Sequence, residues 1–82
     1  MSIDEVFTII TRHTCEVIRE LDGHQFRRED TLKALGANSV DRSEIVMMTL
    51  ESLSLNIPLR ETVKAQNLGE LAALLHEKLL AA

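Results

Sequence analysis

Apolar residues in the first part of the chain recur at steps of three and four, which is typical of one face of an amphipathic helix. The stripe consists of Ile3, Phe7, Ile10, Val17 and Leu21, with Val6 and Ile18 broadening it. Ser2 followed by Glu5 is a capping-box pattern that begins a helix, and Asp22-Gly23 is a signal that ends one. The spacing therefore predicts a first helix of about five turns that ends at Asp22.

A long connection, residues 22–37, follows this helix and mixes charged residues with three apolar ones. A loop of this length inside a compact domain is unusual unless it is functional or internally packed. We therefore expect Phe26, Leu32 and Leu35 to hold it against the core. The stretch from Asp30 to Leu35 is suited to one helical turn, which Gly36 would end.

A second helix is predicted to begin at Asn38, a good N-cap residue with Asp41 at the reciprocal third position. Its apolar stripe consists of Ile45, Met48 (or Thr49), Leu50 and Leu53, with Val46 and Met47 broadening it. The pattern fades between Ser52 and Ser54.

The last third of the chain predicts one short helix and one long helix. Residues 55–58 should be extended, because the residue before Pro58 avoids the helical region. Residues 60–65 suit a short helix. Asn67-Leu68-Gly69-Glu70 is a third capping-box pattern, and helical spacing continues from there to about Leu80. We thus expect one all-α domain, residues 1–82, with three main helices and one short one.

Composition supports this class and limits the partners. The chain has no Trp or Tyr and two Phe, so it lacks the aromatic residues that favour small β-domains. Thirteen acidic and nine basic residues give a net charge of −4. This balance disfavours nucleic acid as a partner and favours basic protein surfaces.

Candidate chemistry is sparse. One cysteine, without a paired Cys/His spacing, predicts neither an internal disulfide nor a metal site. The single cysteine fits a reducing compartment. We see no apolar run for a membrane span and no secretory signal, and we expect a cytoplasmic protein. We expect Cys15 to be half-buried and His13, His24 and His76 to be ordinary surface residues. The sequence predicts no catalytic apparatus.

Ser39 stands at the first turn of the second helix, where unpaired backbone N–H groups favour a negative group such as a phosphate ester. By spacing alone, the better interpretation is a polar first-turn residue beside the Asn38 cap, because an isolated serine near a helix start is a weak signal. However, the segment Leu35-Gly36-Ala37-Asn38-Ser39-Val40-Asp41-Arg42-Ser43-Glu44-Ile45 resembles the attachment motif of acyl carrier proteins. That motif reads Leu-Gly-x-Asp-Ser-Leu-Asp, then two variable positions, Glu and an aliphatic residue. The matching positions are Leu35, Gly36, Ser39, Asp41, Glu44 and Ile45.

The resemblance implies an antiparallel four-helix bundle with a short third helix, and a carrier that is not a catalyst. Ser39 would hold 4'-phosphopantetheine, transferred from coenzyme A by a phosphopantetheinyl transferase. The terminal thiol of this arm would carry acyl groups as thioesters. Further partners would be ketosynthases, acyltransferase-type enzymes and synthases resembling hydroxymethylglutaryl-coenzyme A synthase. The carrier itself would be a monomer.

In this family, acidic residues of the second helix meet basic patches on partner enzymes. The residues predicted to touch partners are Asn38, Val40, Asp41, Arg42, Glu44 and Met47. The alternatives are a solvated helix face for the charged residues and a core position for Met47. Asn38 and Val40 depart from the family's Asp and Leu, which bears on the choice of transferase and partner.

The variant Gly-Ala-Asn-Ser-Val-Asp-Arg is most similar to discrete carriers of bacterial polyketide pathways, in particular those that install β-branches. There, one carrier donates an acetyl group. A fatty-acid carrier is the alternative within the family. An unmodified acidic helical interaction module is the alternative from another class, and it predicts that Ser39→Ala has no effect.

Overall fold

The computed structural model describes residues 1–81, which fold into three α-helices and two short 3-10 helices. Helix α1 spans Ile3–Val17, α2 spans Ser39–Ser52 and α3 spans Leu68–Ala81. The 3-10 helices span Arg19–Leu21 and Leu59–Lys64, and the second of them is the predicted short helix. The all-α prediction is confirmed. Ala82, the end of the predicted domain, lies outside the described residues.

Helix α1 ends earlier than the hydrophobic pattern predicts. Its capping box is present: the Ser2 hydroxyl accepts from the Glu5 N–H at 3.1 Å, and Glu5 Oε1 accepts from the Ser2 N–H at 2.9 Å. At Ile18, however, the backbone turns to φ −115° and ψ 89°, outside the helical region. The prediction of an unbroken helix to Asp22 is therefore wrong. The following 3-10 turn keeps Leu21 half-buried, which is why the apolar spacing continues past the break.

The long connection is held against the core as predicted, through Phe26, Leu32 and Leu35. It contains one helical turn that ends in a Schellman motif. In this motif the Ala37 N–H donates to the Leu32 carbonyl at 2.9 Å, and the Gly36 N–H donates to the Lys33 carbonyl at 3.1 Å. Gly36 has a φ of +101°, where a residue with a Cβ would be strained. This turn leads the chain directly into α2.

Two backbone hydrogen bonds join this connection to the start of α3. The N–H groups of Leu68 and Gly69 donate to the carbonyls of Asp30 and Arg28 at 2.9 and 2.8 Å. Both N–H groups belong to the first turn of a helix, which leaves them without partners inside the helix. A Cβ on Gly69 would lie 2.8 Å from the Cβ of Arg28. The close approach of the two segments therefore requires glycine at this position.

The N-cap of α3 differs in one detail from the predicted capping box. The Asn67 side chain accepts from the Glu70 N–H at 2.8 Å, as expected. The Glu70 carboxylate, however, accepts from the N–H of Gln66 at 3.0 Å and not from that of Asn67. The cap thus extends one residue further back into the preceding segment.

Helix α1 lies at the centre of the fold, because it contacts both α2 and α3, while the second 3-10 helix contacts α2. All three helices and the long connection contribute to one core: Val6, Ile10, Leu32, Ala37, Ile45, Val46, Leu50, Leu53, Leu68, Leu71, Ala72 and Leu75. No helix within residues 1–81 combines the length and apolar character that crossing a membrane requires.

An ion pair ties the second 3-10 helix to α3. Lys78 Nζ lies 2.9 Å from Glu61 Oε1, and both side chains are about one-third exposed. The hydrogen bond and charge of Lys78 lower the pKa of the Glu61 carboxyl. Reciprocally, Glu61 raises the pKa of the Lys78 ammonium group.

We predict that Gly69→Ala lowers the free energy of unfolding, measured by urea denaturation. Overpacking of this kind costs about 1–3 kcal/mol, and the better helix propensity of alanine offsets about 1 kcal/mol of it. Ala73→Gly, at an exposed site of α3, is the control for propensity alone and should lose about 1 kcal/mol. The expected net loss is therefore about 0–2 kcal/mol, and a gain equal to the full propensity difference of about 1 kcal/mol would contradict the close approach to Arg28.

We also predict that the ion pair between Glu61 and Lys78 contributes to acid sensitivity. A carboxyl whose pKa is lowered on folding stabilises the protein above its usual pKa, and this contribution is lost as the pH falls. Glu61→Gln should therefore flatten the loss of stability between about pH 5 and about pH 3 in urea titrations. Glu29→Gln removes an exposed carboxylate outside this ion pair and should retain the wild-type loss. Equal pH profiles for Glu61→Gln and the wild type would count against the prediction.

Candidate functional site

Ser39 is the first residue of α2 and is exposed. The predicted capping box directly around it is confirmed. Asn38 Oδ1 accepts from the Asp41 N–H at 2.8 Å, and Asp41 Oδ2 accepts from the Asn38 N–H at 3.2 Å. These reciprocal bonds fix the backbone on both sides of Ser39, so its hydroxyl stands on a rigid helix end.

The backbone at this helix end favours an anion. The Arg42 N–H already donates to the Asn38 carbonyl at 2.9 Å. Within residues 1–81, no hydrogen bond occupies the N–H of Ser39 or Val40. Two free donors and the positive end of the helix dipole therefore lie beside the Ser39 hydroxyl. A phosphate ester on this oxygen would meet favourable electrostatics.

An open groove of about 490 Å³ begins at Ser39. It runs between α2, the second 3-10 helix, the long connection and the start of α3. Its apolar floor is formed by Leu32, Val46, Leu59, Leu68 and Leu71. The volume lies within the range of small-molecule sites, which is about 300–1,000 Å³.

A second surface of α2 faces solvent. Val40, Glu44 and Met47 stand at steps of four and three, which places them on one face of the helix. Val40 is 71% exposed and Met47 is 56% exposed, so the core alternative for Met47 is wrong. We call these three residues the α2 stripe. Val63, on the neighbouring 3-10 helix, is a further exposed apolar residue.

The structure divides the six predicted partner residues among three places. Asn38 and Asp41 bond each other in the capping box, and Val40, Glu44 and Met47 form the α2 stripe. Arg42 instead lines the groove, where its Nη1 donates to the Ala37 carbonyl at 2.9 Å. Sequence reasoning missed the groove, because its walls come from four separate segments.

His13 is buried, which corrects the prediction that it lies on the exposed side of α1. Its Nδ1 lies 2.5 Å from Glu16 Oε1, and its Nε2 lies 2.6 Å from Ser52 Oγ at the end of α2. Each ring nitrogen thus has one hydrogen-bonding partner, and the tautomer decides which nitrogen donates. Burial is tolerated because both ring nitrogens have partners. The other two predicted surface histidines, His24 and His76, lie in the connection and on α3.

Ser52, His13 and Glu16 share the connectivity of a catalytic triad but lack its surroundings. The backbone N–H groups after Ser52 are used to end α2: those of Leu53, Ser54 and Leu55 donate to the carbonyls of Thr49, Glu51 and Leu50. This turn therefore offers no donor for an oxyanion, which acyl transfer requires. The cluster joins α1 to α2.

Cys15 is half-buried, as predicted, and its Sγ lies 3.5 Å from the Leu21 carbonyl. Burial, with a smaller effect of Asp22, raises the pKa of its thiol above the ordinary value. Within residues 1–81, no group of three or more His, Cys, Asp and Glu side chains is placed to hold a metal ion.

The chain is similar to one curated protein and to one chain of a solved structure. The chain is 49% identical over all 82 residues to the polyketide biosynthesis acyl-carrier-protein AcpK of Bacillus subtilis (strain 168), and it covers the full length of both proteins. It also superposes, with a TM-score of 0.88 and 48% identity, on a chain in the crystal structure of the curacin biosynthetic pathway HMG synthase in complex with acetyl donor-ACP. That match covers 92% of this chain and 96% of the other. No model of a protein family matches the chain.

We predict that the bond between His13 and Ser52 couples α1 to α2 energetically. A double-mutant cycle with His13→Ala and Ser52→Ala, measured by urea unfolding, should give a coupling of about 0.5–1.5 kcal/mol. Ser43→Ala, on the same helix, is the control and should be additive with His13→Ala to within about 0.5 kcal/mol. A zero coupling for Ser52→Ala would mean that the bond does not contribute to stability.

Proposed function

The chain belongs to the acyl carrier protein family, whose members are non-catalytic carriers, and we propose that Ser39 bears the family's 4'-phosphopantetheine arm. The observation that carries the proposal is the exposed Ser39 hydroxyl at the start of α2, inside the stretch that matches the family motif. The arm, when attached, supplies a terminal thiol that holds an acyl group as a thioester.

The residues around Ser39 fit this group. In the attachment reaction, Ser39 Oγ forms a bond to the phosphorus nearest the pantetheine part of coenzyme A. The bond from that phosphorus to the departing nucleotide phosphate breaks, and the Oγ proton leaves to a base of the transferase. The free N–H groups of Ser39 and Val40 would then be available to stabilise the new phosphodiester. Asn38 and Asp41 keep the helix end fixed throughout.

The α2 stripe supports docking to partner enzymes. Its two exposed apolar side chains flank the Glu44 carboxylate, so a partner can bury Val40 and Met47 while a basic residue pairs with Glu44. Such a small contact is weak and exchangeable, which suits a carrier that visits several enzymes in turn. We propose that this surface binds the transferase, ketosynthases, acyltransferase-type enzymes and HMG-synthase-like enzymes.

For the pathway, we propose a discrete monomeric carrier of polyketide biosynthesis that donates acetyl groups for β-branching. Two similarities support this: the curated relative is a polyketide carrier, and the matched crystal structure contains an HMG synthase with an acetyl donor-ACP. The lone cysteine supports a reducing compartment, which we take to be the cytoplasm.

We predict that the protein gains the mass of one phosphopantetheine when it is incubated with coenzyme A, magnesium and a broad-specificity transferase. The readout is intact-protein mass spectrometry. Ser39→Ala should gain nothing, because the accepting oxygen is gone. Ser43→Ala, which removes a hydroxyl one helical turn further along, is the matched control and should be modified like the parent.

If a folded, initially unmodified parent gains no mass, the same incubation is repeated with Asn38→Asp, which restores the family's acid beside Ser39. Recovery would show that the departure at Asn38 restricts the transferase. Continued absence of modification would favour the unmodified interaction module. A gain in Ser39→Ala would place the attachment site elsewhere.

A further inference from the structure

The groove beside Ser39 differs in charge from the rest of the protein. The chain has thirteen acidic and nine basic residues, yet every charged side chain that lines the groove is basic. These side chains are Lys33, from the long connection, and Arg42, from the first turn of α2. Such a groove, with an apolar floor and a basic entrance, is suited to a ligand with an anionic group followed by an uncharged chain.

Arg42 is positioned for this task by the backbone. Its Nη1 donates to the carbonyl of Ala37, which lies two residues before Ser39. This bond uses one of the five guanidinium donors and fixes the planar group in the groove that Ser39 also lines. The remaining donors are suited to phosphate oxygens, which arginine binds with two parallel hydrogen bonds.

Lys33, on the long connection, supplies a second positive charge to the groove. It is exposed, and within residues 1–81 the ion pairs between side chains include neither Lys33 nor Arg42. Neither cation is therefore neutralised by a carboxylate of the described chain. A phosphodiester on Ser39 would add an anion to the groove that both cations line, because Ser39 lines it as well.

We propose that Lys33 and Arg42 bind the phosphodiester of the arm on Ser39 and so direct the pantetheine chain back into the groove. This inference rests on the proposed function. The floor, which includes Val46, Leu68 and Leu71, then covers the arm between visits to partner enzymes. A partner must draw the arm out against this interaction, so Lys33 and Arg42 set how readily the thioester is released to an enzyme.

The test compares the unmodified and the phosphopantetheine-bearing protein by nuclear magnetic resonance. Mass spectrometry first establishes that Ser39 is modified, so that failure of the proposed function is seen separately. Attachment should shift the backbone amide signals of Val46, Leu59, Leu68 and Leu71 along the floor. The phosphorus chemical shift of the attached phosphodiester should also depend on salt. It should move towards the value of free phosphopantetheine as sodium chloride rises from about 0.05 M to about 0.5 M, because salt screens the two cations.

Two substitutions decide the roles of the cations. Lys33→Gln and Arg42→Gln should each reduce the floor shifts by at least about twofold, since each removes one charge from the phosphodiester. Lys33→Gln leaves the bond between Arg42 and Ala37 in place, so it remains informative if Arg42→Gln disturbs the fold. Arg60→Gln, on the second 3-10 helix but outside the groove lining, is the matched control and should keep the full shifts.

The outcomes separate clearly. Floor shifts that fall in both variants but not in Arg60→Gln support the proposal. Modification of Ser39 without floor shifts would show that the arm stays in solvent, and it would overturn the proposal. Floor shifts that persist in both variants would also overturn it, because the arm would then be held by apolar contacts alone.

Discussion

The bonds from the first two N–H groups of α3 to the carbonyls of Arg28 and Asp30 are the contact on which the site depends. They fasten the middle of a long connection that has little regular structure of its own. With that segment held, Leu32 reaches the core and the turn at Gly36 delivers Asn38 to the start of α2. The same bonds bring together two walls of the groove. A constraint remote from Ser39 in sequence thus fixes what surrounds it.

Local and tertiary interactions play different roles around Ser39. The reciprocal bonds between Asn38 and Asp41 are local, so they form wherever α2 forms and orient the helix end. The groove is tertiary, because the connection, the second 3-10 helix and α3 each supply a wall. The attachment residue and its nearest N–H groups are therefore defined by a few consecutive residues. The environment available to anything bound there is defined by the whole fold.

This division explains how far the sequence was informative. The periodicity and capping patterns predicted three helices, the short helix and the box around Ser39, because each depends on neighbours in sequence. They failed where distant segments decide. Ser52, which accommodates a buried His13, is far away in the chain. The requirement for glycine at position 69 comes from Arg28. The break at Ile18 is a separate, local failure, which is hidden because a 3-10 turn continues the apolar stripe.

The half-buried Cys15 has a consequence for the chemistry of sulfur in this protein. The raised pKa of its thiol keeps the thiolate, the form that reacts with electrophiles and oxidants, scarce at neutral pH. A solvent-exposed thiol with an ordinary pKa, such as that of the proposed arm on Ser39, would therefore be alkylated or oxidised faster than Cys15. Maleimides would then label the arm thiol before Cys15, so the two thiols of the modified protein would differ in labelling rate.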